Sequence, residues 1–315
     1  MLLSSLQVLA QDVHFSQIDI NPILYNPAYA GFFEGKARFG INYRSQWGMV
    51  SHPYQTFSLS AEAALYRNRY SRSGFNAALI AFRDKAGTLG YGTTAANVIL
   101  SYYHSLTGDA SAYMSASLEV GYGQAGFDDS KAQMMDANQT FHNTTVSYPT
   151  VGAGLAWFMQ PDDEWVLRIA ASARNLNRPN ISYLQLDDTH LEMKWNVYAR
   201  AEWHGWDYVS LLPIVAFQYQ RRATEFYAGG DVKWYVEDNH RRHVVLGGGA
   251  MVRSLDALIL DVFGEYNAFL LAISYDINFS KLAVASKSVG ALEIGLVYRL
   301  LPVQRRQGAL PCPIM

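Results

Sequence analysis

Short segments in which polar and apolar residues alternate strictly run along most of this chain. Residues 114–122 read MSASLEVGY, residues 195–204 read WNVYARAEWH and residues 292–300 read LEIGLVYRL. Successive side chains of a β-strand point to opposite faces, so a period of two predicts strands with one apolar and one polar face. A chain built from such segments is restricted to sandwiches and barrels.

The composition favours a membrane barrel. Mean hydropathy is only -0.05, and no stretch reaches the about 18 consecutive apolar residues of a membrane helix. Charged residues make up 17% of the chain, below the roughly 25% usual for soluble domains, and 21 Tyr, 15 Phe and 7 Trp are present. Apolar faces on this many strands are too extensive for water and predict a barrel wall in lipid. The net charge of -2 provides no basic surface for nucleic acid.

The alternating segments number about fourteen, an even count as in bacterial single-chain barrels. Most are at least as long as the ~9–11 residues that a tilted strand needs to cross a bilayer. We therefore predict an all-β fold, an antiparallel transmembrane outer-membrane β-barrel over residues 36–300. Its strands are expected at 36–46, 54–66, 74–84, 92–105, 110–124, 148–159, 165–175, 194–204, 207–219, 225–235, 242–252, 257–265, 268–277 and 290–300.

The connection lengths suggest an orientation. The longest connections, 125–147, 176–193 and 278–289, all follow odd-numbered strands. Outer-membrane barrels have short periplasmic turns and longer extracellular loops, so the N-terminus is expected in the periplasm. The turns expected on that side are 67–73, Leu106–Asp109, 160–164, Gly205-Trp206, 236–241 and Tyr266-Asn267.

The polar faces carry basic and acidic residues in mixed order, as expected if they pair across a closed interior. A soluble sandwich would instead present Lys, Glu and Thr to water. The predicted lumen charge network contains Arg38, Arg44, Glu62, Glu119, Arg168, Arg200, Glu202, Glu293 and Arg299, with Arg174, Asp231, Lys233, Glu265 and Asp276 on the same faces. Aromatic residues near strand ends are expected to form interfacial girdles, with core packing as the alternative; they are Tyr43, Tyr122, Trp195, Trp203, Trp234 and Tyr298.

Both ends of the chain are expected outside the barrel wall. Residues 1–10 form an apolar run ending in Val8-Leu9-Ala10 that is typical of a signal peptide, although it lacks a positively charged start. The alternative is a partly buried strand. Residues 301–315 form a tail that contains Cys312, the single cysteine, which is too far from the cleavage site for lipid anchoring and has no partner for an internal disulfide.

Residues 11–35 are predicted to be a periplasmic segment and a possible plug. Two Asn-Pro pairs bias this stretch away from helix and stiffen it into an extended turn, and its apolar residues need cover. It could lie across the periplasmic mouth, as a plug or a docking site, or simply lead into the first strand. The residues that carry this hypothesis are Asn21, Pro22, Tyr25, Asn26, Pro27 and Gly31.

No complete catalytic or metal-binding pattern is present in the sequence. Residues 121–126 match G-x-G-x-x-G, but they leave an alternating strand, whereas a dinucleotide site needs a helix to begin there. His240 and His243 lack further ligands and are expected in a solvated turn. The acidic residues of the first long loop do not have calcium-loop spacing; they are Asp128, Asp129 and Asp136. We expect no enzyme activity and no cofactor.

Several segments carry a family resemblance. Near the N-terminus they are FSQ at 15–17, NPILYNPAYAG at 21–31 and NYRSQW at 42–47. Further along they are YQTFSLS at 54–60, RNLNRPN at 174–180, SYDI at 274–277, SKL at 280–282 and the ending between Glu293 and Arg299. From about residue 11 to residue 300, the chain resembles the PorP/SprF family of the type IX secretion system.

The resemblance implies an outer-membrane barrel of Bacteroidota that helps to secrete or surface-attach cargo with C-terminal sorting domains, and in some relatives supports gliding motility. Its implied partners are outer-membrane lipid, the type IX translocon and periplasmic lipoprotein or peptidoglycan-binding components. The chain departs from the aromatic strand terminus usual in such barrels, because Leu300 is followed by Leu301-Pro302. The alternation alone leaves a second function open, a porin or a transporter of hydrophobic substrates.

Overall fold

The computed structural model describes most of the predicted barrel and the segment before it. The described residues are 15–46, 53–68, 70–87, 90–128, 144–183, 189–221, 223–238, 242–254, 256–279 and 289–301. The predicted signal peptide, the tail beyond Leu301, Trp47, Asp129, Asp136, His240 and 280–282 lie outside these residues.

Fourteen antiparallel strands form a closed barrel, in which each strand pairs with its sequence neighbours and β1 pairs with β14. The predicted fold class is confirmed. The strands are β1 (Ala37–Gln46), β2 (Tyr54–Asn68), β3 (Ser73–Ala86), β4 (Tyr91–Ser105), β5 (Ala112–Gly126), β6 (Thr145–Met159), β7 (Trp165–Arg174), β8 (Lys194–Trp206), β9 (Val209–Gln220), β10 (Ala223–Asp238), β11 (His243–Arg253), β12 (Ala257–Tyr266), β13 (Phe269–Asn278) and β14 (Val289–Leu300).

Two tight turns lie later in the chain than predicted. The β8–β9 turn is Asp207-Tyr208 rather than Gly205-Trp206, because β8 continues to Trp206 through a register irregularity after Trp203. Such a bulge adds a residue without breaking the strand, and alternation cannot reveal it. The β12–β13 turn likewise begins at Asn267, whose φ of 51° is a left-handed turn conformation that asparagine tolerates.

The two faces of the wall differ as the alternation predicts. On β5, Met114, Leu118 and Tyr122 are exposed on the outside, whereas Ser115 and Glu119 are buried on the inside. We call the end of the barrel with the short connections after β2, β4, β6, β8, β10 and β12 the turn end, and the opposite end the loop end. The outer face is apolar between these ends, as a lipid-facing wall must be.

Aromatic side chains gather on the outer face towards both ends. At the turn end, the rings of Phe269 and Tyr298 lie 4.9 Å apart, and those of Trp203 and Trp206 lie 4.8 Å apart. At the loop end, Trp195 is exposed. Trp and Tyr favour the boundary between lipid tails and water, so these positions suit interfacial girdles.

The chain before β1 lies inside the barrel. It contains the short helix α1 (Pro22–Tyr25) and the 3-10 turn η1 (Pro27–Tyr29), and η1 contacts β4, β5, β6 and β7. Among the described residues, no helix is long and apolar enough to cross a membrane.

Candidate functional site in the barrel lumen

Residues 15–33, which we call the plug, occupy the lumen. Most of their side chains are buried, and Phe15, Ile23 and Ala28 have no exposed surface. The plug contacts residues near the loop end, such as Asp276, and residues towards the turn end, such as Ser101. It therefore lies within the barrel rather than across one mouth.

The two Asn-Pro pairs set the path of the plug. Pro22 and Pro27 each begin a short helical turn, where a missing N–H group costs nothing. Asn26 caps the second turn, because its Oδ1 accepts a hydrogen bond from the Ala28 N–H at 2.8 Å. Gly31 then turns the chain with a φ of 85°, and any Cβ there would collide with Asn76.

Both asparagines also bind the wall. Asn21 donates to Ser58 Oγ and accepts from Ser60 Oγ, each at 2.8 Å. Asn26 donates to the Leu155 carbonyl at 3.1 Å. Because both side chains are fully buried, losing a partner would leave a polar group unpaired.

Three lumen-facing glycines make room for the plug. A Cβ on Gly40 would lie 3.1 Å from Asn21 Oδ1, and one on Gly295 would lie 2.6 Å from Gln17 Oε1. A Cβ on Gly154 would lie 2.3 Å from Asn26 Oδ1. The wall is thus shaped to this segment at β1, β6 and β14.

Apolar side chains of the wall face the plug. The rings of Phe32 and Phe158 stack with their centroids 3.6 Å apart, and Tyr29 packs edge-on against Phe158 and Tyr198. Tyr25 donates a hydrogen bond to the Phe15 carbonyl inside the same cluster. The wall residues in this cluster include Ile80, Ile99, Tyr103, Tyr113, Ile214, Tyr227, Met251 and Ile259.

A charge cluster near the loop end holds the start of the plug. Arg44 lies 2.7 Å from Asp276 and 3.2 Å from Glu293. Glu293 accepts hydrogen bonds from the backbone N–H groups of Ser16 and Gln17, at 2.7 and 3.0 Å. Arg253 is bonded to the same Asp276 at 3.0 Å.

A second set of charges fixes the middle of the plug. Arg200 lies 2.5 Å from Asp19 of the plug and 2.6 Å from Asp231 of β10. Arg38 pairs with Glu62 at 3.2 Å and donates to the Asp19 carbonyl at 2.7 Å. Glu62 in turn accepts a hydrogen bond from the Gly31 N–H.

A third set lies on the wall towards the turn end. Glu202 is 3.5 Å from Arg168 and 3.3 Å from Lys233. Glu265 is 2.5 Å from Arg299. Each pair joins neighbouring or next-but-one strands.

Glu119 completes the predicted network on the opposite wall. It lies 3.0 Å from Arg174, which also donates to the Ile23 carbonyl of the plug at 2.7 Å. Asn97 donates to Glu119 from the next strand. These residues and Lys194 line a small cleft beside Leu24, towards the loop end.

The predicted lumen charges therefore form ion pairs, but these pairs run along the wall rather than across the interior. Arg38–Glu62, Arg44–Glu293 and Arg168–Glu202 join adjacent strands along the wall. The interior is filled by the plug, which separates opposite walls. Sequence reasoning missed Asp19, because it lies outside any alternating segment, and Arg253, because the predicted strand ended one residue before it.

The structure also shows where the glycine motif and one of the two histidines of the sequence analysis lie. Residues 121–126 remain within β5, and no helix begins there, so the glycine pattern belongs to a strand. His243 is not in a solvated turn as predicted: it begins β11, is buried, and its Nδ1 lies 2.9 Å from Asp238. Within the described ranges, no group of three His, Cys, Asp or Glu residues is placed to hold a metal ion.

These features define a class: a fourteen-stranded membrane β-barrel of the outer-membrane type, with a lumen occupied by its own N-terminal segment. The family model described as "Type IX secretion system membrane protein PorP/SprF" matches residues 8–298. The chain belongs to this family, and it is an outer-membrane β-barrel. The search of curated proteins returned no match.

Several solved structures with a similar fold are described as hydrocarbon channels or toluene transporters. The CymD monoaromatic hydrocarbon channel aligns with a TM-score of 0.54 and 10% identity, covering 91% of this chain and 94% of that one. The toluene transporter TodX of P. putida aligns with a TM-score of 0.54 and 11% identity, covering 88% and 93%. The toluene transporter TbuX of Ralstonia pickettii gives 0.53 and 11%, covering 89% and 92%. At these identities the likeness concerns the fold alone.

Proposed function

We propose that this chain is a non-enzymatic outer-membrane component of the type IX secretion system that supports secretion or surface attachment of cargo with C-terminal sorting domains. One observation carries the proposal: in a member of this family, the lumen is occupied by a plug that is bonded to the wall along its length. A lumen filled in this way favours protein binding over diffusion of solutes.

The proposed orientation places the N-terminus and the turn end in the periplasm, after removal of residues 1–10 as a signal peptide. It is supported by the connections, since those at the loop end include 127–144 and 175–193, whereas Asp207-Tyr208 suffices at the turn end. In this arrangement the turn end meets periplasmic lipoprotein or peptidoglycan-binding components and the translocon. The loop end faces the cargo on the cell surface.

A transporter of hydrophobic substrates is the second candidate. It is favoured by the apolar residues that face the lumen, such as Ile99 and Ile259, and by the barrel fold shared with proteins described as toluene transporters. A transporter needs a path past the plug, however, and the plug is held by buried hydrogen bonds such as those that Glu293 accepts from the Ser16 and Gln17 N–H groups. The secretion function therefore has the stronger support.

A deletion strain tests the proposal. We expect cargo with a C-terminal sorting domain to disappear from the cell surface of the deletion strain and to return with the wild-type gene. Gliding motility is expected to be lost as well if the cargo is an adhesin. Matched immunoblots of the periplasm separate failed export from failed synthesis, and normal surface display without the protein would contradict the proposal.

A further inference from the structure

The inner wall has an apolar band that an aqueous lumen would not tolerate. Ile80, Ile99 and Ile259 face inwards and have at most 1% of their surface exposed, because the plug covers them. Exposing such a band to water would be unfavourable. The lumen is therefore built for an apolar occupant, and if the plug left, another chain would be needed to cover the band.

The polar groups of the wall are aimed at the main chain of that occupant. Glu293 accepts from two successive plug N–H groups, Arg38 donates to two successive carbonyls, and Glu62 accepts from a third N–H. In all, eight main-chain groups of the plug bind wall side chains, at Ser16, Gln17, Asp19, Ile20, Ile23, Tyr25, Ala30 and Gly31.

Contacts to the main chain can be made by many sequences, and side-chain pockets add selectivity. The selective contacts of the plug come from a repeated pattern, Asn21-Pro22 followed by a buried Tyr25, and Asn26-Pro27 followed by a buried Tyr29. Both asparagines bind the wall. The pattern describes the chemistry of a matching ligand: a polypeptide segment with Asn-Pro turns and aromatic side chains.

We propose that the lumen is an exchangeable binding site for a polypeptide segment of a partner protein that carries Asn-Pro turns and aromatic side chains, and that the plug is its resident ligand. The plug is joined to β1 by the short link 34–36, so it competes at high effective concentration. A partner segment enters only when the plug is released. The inference concerns the lumen alone, and it stands or falls separately from the secretion function.

The test uses the full chain, folded with its plug in place. A protease site is inserted between Gly35 and Lys36, and the protein is cut only after folding has been verified by its heat-dependent gel mobility. A fluorescent synthetic peptide of residues 11–35 is then added, and exchange with the cut fragment is followed by anisotropy. We expect saturable binding to the cut protein and at least ten-fold weaker binding to the uncut protein.

Modified peptides test the main-chain contacts. Methylation of the Gln17 amide nitrogen removes a donor to Glu293 without changing a side chain, and should weaken binding at least ten-fold. Methylation of the amide nitrogen of Gly35, which lies in the peptide but outside the plug, is the matched control and should have little effect. A competitor with other apolar residues at Ile23 and Leu24, but with both Asn and both Tyr residues retained, should still displace the fluorescent peptide.

Three results would overturn the proposal. The first is a cut protein that retains its own fragment and never exchanges it, which would make the plug a permanent part of the fold. The second is equal binding to cut and uncut protein, which would locate the peptide elsewhere. The third is full affinity of the peptide methylated at Gln17, since the main chain would then not be recognised.

Discussion

Glu293 joins the plug to the wall through both of its carboxylate oxygens. One oxygen accepts from Ser16 N–H and pairs with Arg44, and the other accepts from Gln17 N–H and Asn42. The side chain is fully buried, so all four donors depend on it. Removing one partner from a buried ion pair is costly, because the remaining charge stays buried.

We therefore predict that Glu293→Gln lowers the free energy of unfolding by about 3 kcal/mol, since an amide offers one acceptor where two are needed. Urea titration of the protein in lipid vesicles measures this. Glu192→Gln is the matched control, because Glu192 also pairs with an arginine, at 2.7 Å, but at a half-exposed site. It should cost less than about 1 kcal/mol, and equal losses would contradict the buried role of Glu293.

Two neighbouring glycines give a second test at the residue scale. A Cβ on Gly154 would lie 2.3 Å from Asn26 Oδ1 and 3.1 Å from Pro27, whereas the nearest atom to one on Gly152 is at 3.3 Å. Both residues are on β6 and face the lumen. We expect Gly154→Ala to cost about 1–3 kcal/mol through overpacking, and Gly152→Ala to cost less. The reverse order in the same titration would mean that the plug does not lie against Gly154.

At the scale of the strands, alternation predicted all fourteen elements because each strand has lipid on one face and the lumen on the other. It failed at the β8–β9 turn, where an irregularity after Trp203 moved the turn to Asp207-Tyr208. The sequence also did not reveal which lumen side chains on non-adjacent strands lie close enough to form a contact. Arg200 binds Asp231 two strands away, a contact that depends on barrel curvature rather than on local sequence.

The outer face of β8 supplies an element-scale prediction. Ala199 lies near the middle of the strand, points outwards and pairs with Ile169 and Val215. Ala199→Arg should cost about 2–4 kcal/mol if this face meets the bilayer midplane. Ala199→Leu adds bulk without charge and should be tolerated. Folding into lipid vesicles measures both variants, and similar costs for arginine and leucine would contradict a lipid-facing position.

The proposed orientation is tested by cysteine labelling in a Cys312→Ser background. Tyr208 is exposed at the turn end and Thr189 is exposed at the loop end. An impermeant maleimide added to intact cells should label Thr189→Cys, and should label Tyr208→Cys only after permeabilisation. The opposite pattern would place the N-terminus outside the cell.

At the scale of the whole molecule, the plug determines what the barrel can do. The two Asn-Pro pairs indicated a stiff segment that needed cover, but its depth could not be predicted, because the glycines that accommodate it lie on three separate strands. The lumen charges were predicted to pair across the interior. They instead bind the plug, as Arg174 does at the Ile23 carbonyl. The plug itself fills the lumen.

Single-channel recording of the wild-type protein in planar bilayers tests most directly the central claim that an occupied lumen acts by binding. We predict no large, steady conductance from the wild-type protein, because the plug is bonded to the wall from Ser16 to Gly31. Gly154→Leu, which forces the plug away from β6, should produce openings under the same conditions. A large and stable conductance from the wild-type protein would contradict the claim and favour the transporter.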